Sequence, residues 1–313
     1  MSLMPQLDRY LSVRRNLGYA LRTDERILRR FVRFADQEGA ARLDTALFLR
    51  WDASLPDTNG GTRATRLGKV RLFAQWLTGI DPAHEMPPRG LLPGRLTRAR
   101  PYIYTDTEIA SIIAAAKALP SIYGLRGLTC STLFALLAVT GLRINEALAL
   151  DRGDLDTDGG VIRVRHGKLG KERLLPLDPS VVQKLDSYLA ERDRLVGSAA
   201  QPLFVTDRGT RLPDCNARYN FARVCQQIGL RSHQPYCKHG RGPRIHDLRH
   251  TFAVRTMIGW YRAGQDPARE MIRLTTYLGH SDPSHTFWYL EAVPELLGLA
   301  MARATANGGG TAQ

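Results

Sequence analysis

The sequence predicts a mainly α-helical protein with a small β-sheet, built as a helical N-terminal domain followed by an α+β domain. Three observations predict it. Apolar residues recur at three- and four-residue steps through residues 1–80, and again from Thr105 onward. One short window, residues 161–177, alternates instead like a pair of strands. Between the two helical regions lie Pro82, Pro87, Pro88, Pro93 and Pro101, where proline denies the chain helical hydrogen bonds. At 313 residues the chain is long enough to bury two separate cores.

In residues 1–81 the clearest helix runs from Thr23 to Gly39. Thr23 can cap its N-terminus, Asp24 and Glu25 suit the positive end of the dipole, and Gly39 can end it. Ile27, Leu28, Phe31 and Phe34 make one apolar face, and Arg26, Arg29, Arg30 and Arg33 crowd the remainder. A second helix is expected after Asn59-Gly60-Gly61, capped by Thr62, with Leu67, Val70, Phe73 and Leu77 buried. Arg63, Arg66 and Lys69 recur on another of its faces. Few acids interleave with these cations, so Arg26, Arg30, Arg33, Arg63, Arg66 and Lys69 are candidate contacts to a phosphate backbone. Residues 82–101 read as a linker, and Arg95, Arg98 and Arg100 make it basic enough to lie along phosphates.

The second domain is expected over residues 102–304. Thr105 caps the amphipathic helix TDTEIASIIAAAKAL. The nearly all-apolar STLFALLAVTG follows as a central core helix, with Gly141 as its C-cap. Arg143 then leads into the short helix INEALAL. Gly159-Gly160 opens a strand over residues 161–165, which KLGK turns back into ERLLPL as a hairpin. From Pro179 the pattern is helical again. Residues 231–244, RSHQPYCKHGRGPR, are polar, basic and rich in turn formers, and read as a loop facing DNA or a partner. PELLGLAMARATA reads as an amphipathic helix, docked on its own domain or on a neighbouring subunit. Residues 305–313, TANGGGTAQ, cannot build a core and are expected to be a disordered tail.

The formal charge of +14 and pI near 10 point to a polyanionic partner, because Lys and Arg gain by releasing counterions from phosphates. Residues 1–100 hold 18 Lys and Arg against 10 Asp and Glu, so both halves are basic and both can meet that partner. Arg far outnumbers Lys, and its planar fork pairs bidentately with phosphate. Cys130, Cys215, Cys225 and Cys237 form no disulfide framework. The N-terminus lacks the apolar core of a signal peptide, and no apolar run reaches membrane-spanning length. A reducing compartment that contains DNA, and no membrane partner, fits these features. Cys225, His233, Cys237 and His239 match no strong zinc spacing, so neither a metal nor a cofactor is expected.

Five motifs carry the chemistry: GLRINEAL with Arg143, HGKLGKER with Lys168, HDLRHTFA with His246 and Arg249, LGH with His280, and FWYL with Tyr289. Together they offer two guanidiniums, a lysine and two imidazoles around a phosphate, with a tyrosine to attack it. Their order between Gly141 and Leu290 resembles the tyrosine recombinase family, also called phage integrases. The resemblance implies an N-terminal core-binding (SAM-like) domain and a C-terminal catalytic domain that clamp double-stranded DNA. It makes Tyr289 the nucleophile, with Arg143 and Arg249 gripping the non-bridging oxygens. Lys168, in the hairpin turn, becomes the general acid, with Lys171 as its rival. His246 helps deprotonate Tyr289 or holds a phosphate oxygen, and His280 hydrogen-bonds the phosphate. Around these, Glu146 steadies Arg143, and Phe287 and Trp288 seat the tyrosine helix. Tyr277, His250 and His285 read as packing or surface residues. A phosphotyrosine keeps the energy of the cut bond, and fixed arginines take the place of the divalent cations that other strand transferases use.

The resemblance therefore implies a site-specific DNA recombinase or integrase that works through a 3′-phosphotyrosyl intermediate and a Holliday junction. It would act as a homo-oligomer, dimer to tetramer, on DNA, alone or with related recombinases. RIHDLRHTFAVRT and TTYLGH look most like members carried by transposons, so integration or transposition of a mobile element is expected, in a bacterial cytoplasm and on the nucleoid when bound. Two alternatives belong to other classes. One is a type IB topoisomerase-like relaxing enzyme, against which the Arg143-Ile144-Asn145-Glu146 context argues. The other is a DNA-binding regulator without catalysis, against which the filling of all six positions argues.

Overall fold

The structure, a computed structural model, describes residues 2–56, 60–92, 100–165, 172–234, 237–279, 286–289 and 293–308. The chain divides into two compact units, Met1–Ala99 and Arg100–Gln313.

In the first unit α1 (Met4–Asn16), α2 (Arg22–Gln37), α3 (Thr45–Ala53) and α4 (Gly60–Thr78) bury Leu7, Phe31, Phe48, Trp51 and Phe73 against one another. The expected apolar face of α4 is buried; in α2 Leu28 and Phe31 are buried together with Val32 and Ala35, and Ile27 and Phe34 are partly buried. The starts of both helices differ from expectation. α2 begins at Arg22, after Leu21 in the left-handed region (φ 48°), so Thr23 lies inside the first turn instead of capping it. α4 begins at Gly60, which likewise places Thr62 within the helix. The first part of the expected linker of residues 82–101 packs with the first unit. The His84 ring accepts a bond from the Leu43 N–H at 3.0 Å, and Leu92 is buried in the first core. Tyr104 is buried in the second unit, where its N–H donates to Thr251 Oγ1 at 2.9 Å.

The second unit opens with α5 (Asp106–Lys117), closed by a reciprocal cap between Thr105 and Glu108. α6 (Leu125–Thr140) starts six residues before the expected Ser131 and is the central helix, packed by α5, α8, α9 and α10. After α7 (Ile144–Ala149) come three antiparallel strands, β1 (Leu155–Asp156), β2 (Val161–Val164) and β3 (Arg173–Pro176). Ile162 faces Leu175 in the β2–β3 register, and both are buried, which fixes the pairing. α8 (Pro179–Val196) and α9 (Asp214–Gln227) follow, and Cys225 of α9 is core. The polar segment expected as a loop instead forms a second hairpin, β4 (Ser232–Gln234) with β5 (Cys237–Arg241). α10 (Asp247–Arg262), α11 (Pro267–Leu278), a helical turn at 286–289 and α12 (Pro294–Gly308) complete the unit. Met257, Leu274, Tyr289 and Leu296 share the core between them, so α12 packs on α10 of its own chain.

The tail expectation fails at its start. α12 continues through 305–308, where Thr305 Oγ1 donates to the Met301 and Ala302 carbonyls. Ala302, Ala304 and Ala306 favour helix, and the pattern breaks only at the glycine run. Among the described residues, no helix is long and apolar enough to cross a membrane.

Candidate active site

α6 and α11 each run into a glycine in the left-handed region, Gly141 (φ 62°) and Gly279 (φ 64°). A helix C-terminus leaves carbonyls without intrahelical donors at the negative end of the dipole. Two arginines fill that need. Arg249 of α10, buried, donates from Nη1 to the Gly141 carbonyl and from Nη2 to the Leu278 carbonyl, both at 2.7 Å. Arg143 donates from Nη1 to the same Leu278 carbonyl at 3.3 Å and from Nη2 to the Gly279 carbonyl at 3.0 Å. The shared acceptor places the two guanidiniums side by side. Burial, and then the neighbouring Arg143 charge, lower the Arg249 pKa to about 9, so it remains a cation at neutral pH. Two adjacent fixed cations are a ready seat for one anionic group.

Glu146 supports this pair, as expected. It is 4% exposed and accepts from Arg143 Nη1 at 2.7 Å and from the Arg143 N–H at 3.1 Å. Arg173 of β3, which sequence reasoning did not single out, donates to both Glu146 oxygens at 2.8 and 3.2 Å and to the Tyr277 carbonyl at 2.9 Å. Burial pushes the Glu146 pKa up, but the bonds from Arg173 and Arg143 outweigh it and hold the carboxyl below its ordinary value. A Cβ on Gly279 would lie 2.9 Å from Arg173 Nη1, so the glycine leaves room for this arginine.

His246 precedes α10, and Arg249 follows at i+3 on the same side. Burial first, then the charges of Arg249, Arg143, Arg244 and Arg218, lower the His246 pKa to about 4. It is therefore neutral near pH 7 and can donate or accept according to its tautomer. Tyr289 is 1% exposed, and its ionised form would raise the pKa of Arg249, which places it in the field of the arginine pair. Trp288 packs beside it, with ring centroids 5.3 Å apart, and Phe287 is half exposed. The Tyr277 ring stacks on Phe252, with centroids 5.6 Å apart, and is a packing residue.

His250 packs, as one of its expected readings has it, but it also meets Tyr289. It is buried, and its Nδ1 lies 2.7 Å from Tyr289 Oη. Its ring also packs edge-on to His246, with centroids 4.7 Å apart. The available signal was its i+4 spacing from His246, which puts both imidazoles on one helix face.

Arg143, His246, Arg249 and Tyr289 are thus gathered around the ends of α6 and α11. Lys168, with its rival Lys171, and His280 lie outside the described residues, as do His285, Arg95 and Arg98. Of the expected backbone contacts, Arg26, Arg30, Arg33 and Arg100 are exposed. The α4 cations are engaged instead by acids from other helices. Arg63 and Arg66 pair with the buried Asp52 at 2.6 and 3.6 Å, and Lys69 pairs with Asp24 at 2.6 Å.

A mostly helical fold with paired arginines and a tyrosine in this chain order defines a class, the enzymes that transfer DNA strands through a tyrosine. The chain belongs to the phage integrase family, the tyrosine-type site-specific recombinases, whose model matches residues 103–295. A protein of Sinorhizobium fredii described as an integrase/recombinase, y4rB, is 41% identical over 94% of both chains. The tyrosine recombinase XerC of Rhodospirillum centenum is 31% identical over 82% of this chain and 70% of its own. Among solved structures, the integrase of transposon Tn1549 in complex with transposon right end DNA has a TM-score of 0.66 at 18% identity. It covers 92% of this chain and 94% of its own, and shows the same fold.

Proposed function

We propose that this recombinase cuts one strand of each DNA duplex through Tyr289 and rejoins strands by way of a Holliday junction, in the service of a mobile element. The adjacent Arg143 and Arg249, sharing the Leu278 carbonyl, carry this reading. In this reading they hold the two non-bridging oxygens of one phosphodiester while Tyr289 attacks phosphorus. His246 holds a phosphate oxygen, and its pKa rises when that anion arrives. Lys168 protonates the departing 5′ oxygen, and His280 completes the grip. The partner is double-stranded DNA, bound by a dimer to tetramer of the chain in a bacterial cytoplasm. The S. fredii integrase/recombinase relative and the transposon-end complex of the Tn1549 integrase support the mobile-element role.

A nicked suicide duplex carrying the recognition site tests the reading, since loss of the short 5′ fragment traps the covalent adduct. Wild type is expected to trap it with EDTA present. Tyr289→Phe should abolish it while binding DNA as before. An adduct that survives Tyr289→Phe would remove Tyr289 from its role, and relaxation of any supercoiled DNA without a site would favour a topoisomerase.

A further inference from the structure

Tyr289 must lose its proton to attack, because a phenol with an ordinary pKa near 10 is a weak nucleophile at neutral pH. A base for that proton has to stand within hydrogen-bond reach of the oxygen. His250 Nδ1 stands there, 2.7 Å from Tyr289 Oη. Both side chains are buried, so the bond is shielded from competing water. Edge contacts to His246 and Trp288 hold the His250 ring in place. His246 is the less suitable base, because burial and four arginines weaken its hold on a proton.

We propose that His250 is a further catalytic residue, the base that takes the Tyr289 proton at cleavage and returns it at rejoining. The proposal rests on Tyr289 being the nucleophile. His250 starts as the neutral tautomer with its proton on Nε2 and a lone pair on Nδ1. The Tyr289 O–H bond breaks, its proton passes to Nδ1, and the electron pair stays on the phenolate oxygen. That oxygen bonds to phosphorus as the bond from phosphorus to the 5′ oxygen breaks. The departing oxygen takes its proton from a separate acid, the role proposed for Lys168. At rejoining, a 5′ hydroxyl returns its proton to the group that supplied it, the role proposed for Lys168, and bonds to phosphorus as the bond from phosphorus to the tyrosyl oxygen breaks; that oxygen recovers its proton from the His250 imidazolium.

The test uses the full chain and a suicide duplex with sulfur in place of the bridging 5′ oxygen, so that departure needs no proton and adduct formation reads attack alone. His250→Ala is expected to slow that step by roughly 100-fold or more while binding DNA like wild type. Added imidazole should restore roughly tenfold of the loss. Pyrazole has the same ring size but is a far weaker base, and should restore nothing. His250→Asn fills the space and can hydrogen-bond the tyrosine but cannot take its proton, so it should stay slow; it also serves if the alanine variant does not fold. Near-wild-type cleavage by the asparagine variant, equal rescue by pyrazole, or no rescue by imidazole in a DNA-binding variant overturns the proposal. Tyr289→Phe runs alongside. If it keeps the adduct the nucleophile assignment fails; if it loses the adduct while both His250 variants cleave normally, only the assignment of His250 fails.

Discussion

Gly141 ends α6 in the left-handed region, and its carbonyl anchors Arg249. A Cβ there would meet Phe252 Cδ1 at 2.5 Å as well as the strain of φ 62°. The backbone strain costs about 1–2 kcal/mol and the forced repacking a comparable amount. Gly141→Ala should therefore lower stability by about 2–4 kcal/mol in urea unfolding and depress cleavage more than DNA binding. Gly39→Ala is the control, since φ is 66° there but no atom lies within 4 Å, so only the strain remains. His246 gives a second residue-scale prediction. Its pKa is lowered to about 4 in the folded chain, against an ordinary value near 6.5, so between those values the unfolded chain binds more protons. Stability of the DNA-free protein should fall as pH drops through that window, and the fall should be smaller in His246→Gln. Arg143, Arg249 and Tyr289 were legible in the sequence because each sits in a distinctive short motif. His250 was not, because a histidine beside a motif arginine is ambiguous until a residue 39 positions away arrives on its nitrogen.

Elements were legible where their cores or caps are local. The Thr105 cap, the Gly141 stop and the β2–β3 hairpin are all written in neighbouring residues. The β4–β5 hairpin was hidden because its polar, turn-rich sequence lacks the alternating apolar residues that mark a half-buried strand. Arg173 was hidden for another reason, since it ties β3 to α7 and to the end of α11 through Glu146 and the Tyr277 carbonyl, interactions that only the fold creates. This tie makes a prediction about coupling between elements. Arg173→Ala leaves the buried Glu146 with Arg143 alone and should cost about 2–3 kcal/mol. Lysine should restore little of it, because a single ammonium cannot reproduce a fork that reaches two carboxylate oxygens and a carbonyl. Glu146 also holds Arg143, so cleavage by Arg173→Ala should fall while DNA affinity stays near wild type. Equal losses of both would mean that β3 matters to the fold and not to the site.

At the scale of the whole molecule, the charge of +14 favours a polyanionic partner but does not say which cations would meet it. Sequence spacing grouped Arg63, Arg66 and Lys69 of α4 with Arg26, Arg30 and Arg33 of α2 as equivalent partners of phosphate. The first unit separates them. Asp52 of α3 pairs with Arg63 and Arg66 and Asp24 of α2 with Lys69, acids on other helices that meet these cations only once the helices pack. Arg26, Arg30 and Arg33 stay exposed at four- and three-residue steps along α2 and have no ion-pair partner among the described residues. The two groups should therefore fail in different ways. Removing one cation from its phosphate reduces the slope of log affinity against log salt by roughly 0.9. Replacing Arg26, Arg30 and Arg33 together by Gln should flatten that slope by about 2–3, weaken binding to all sequences alike and leave the melting temperature of the chain unchanged. Replacing Arg63 and Arg66 together by Gln strands the buried Asp52 charge, so it should lower the melting temperature while the salt slope moves little. Fluorescence anisotropy over a salt series, with unfolding followed on the same variants, decides between these outcomes. If the α4 variants flatten the slope as much as the α2 variants, their ion pairs open on DNA and all six cations act as one basic surface.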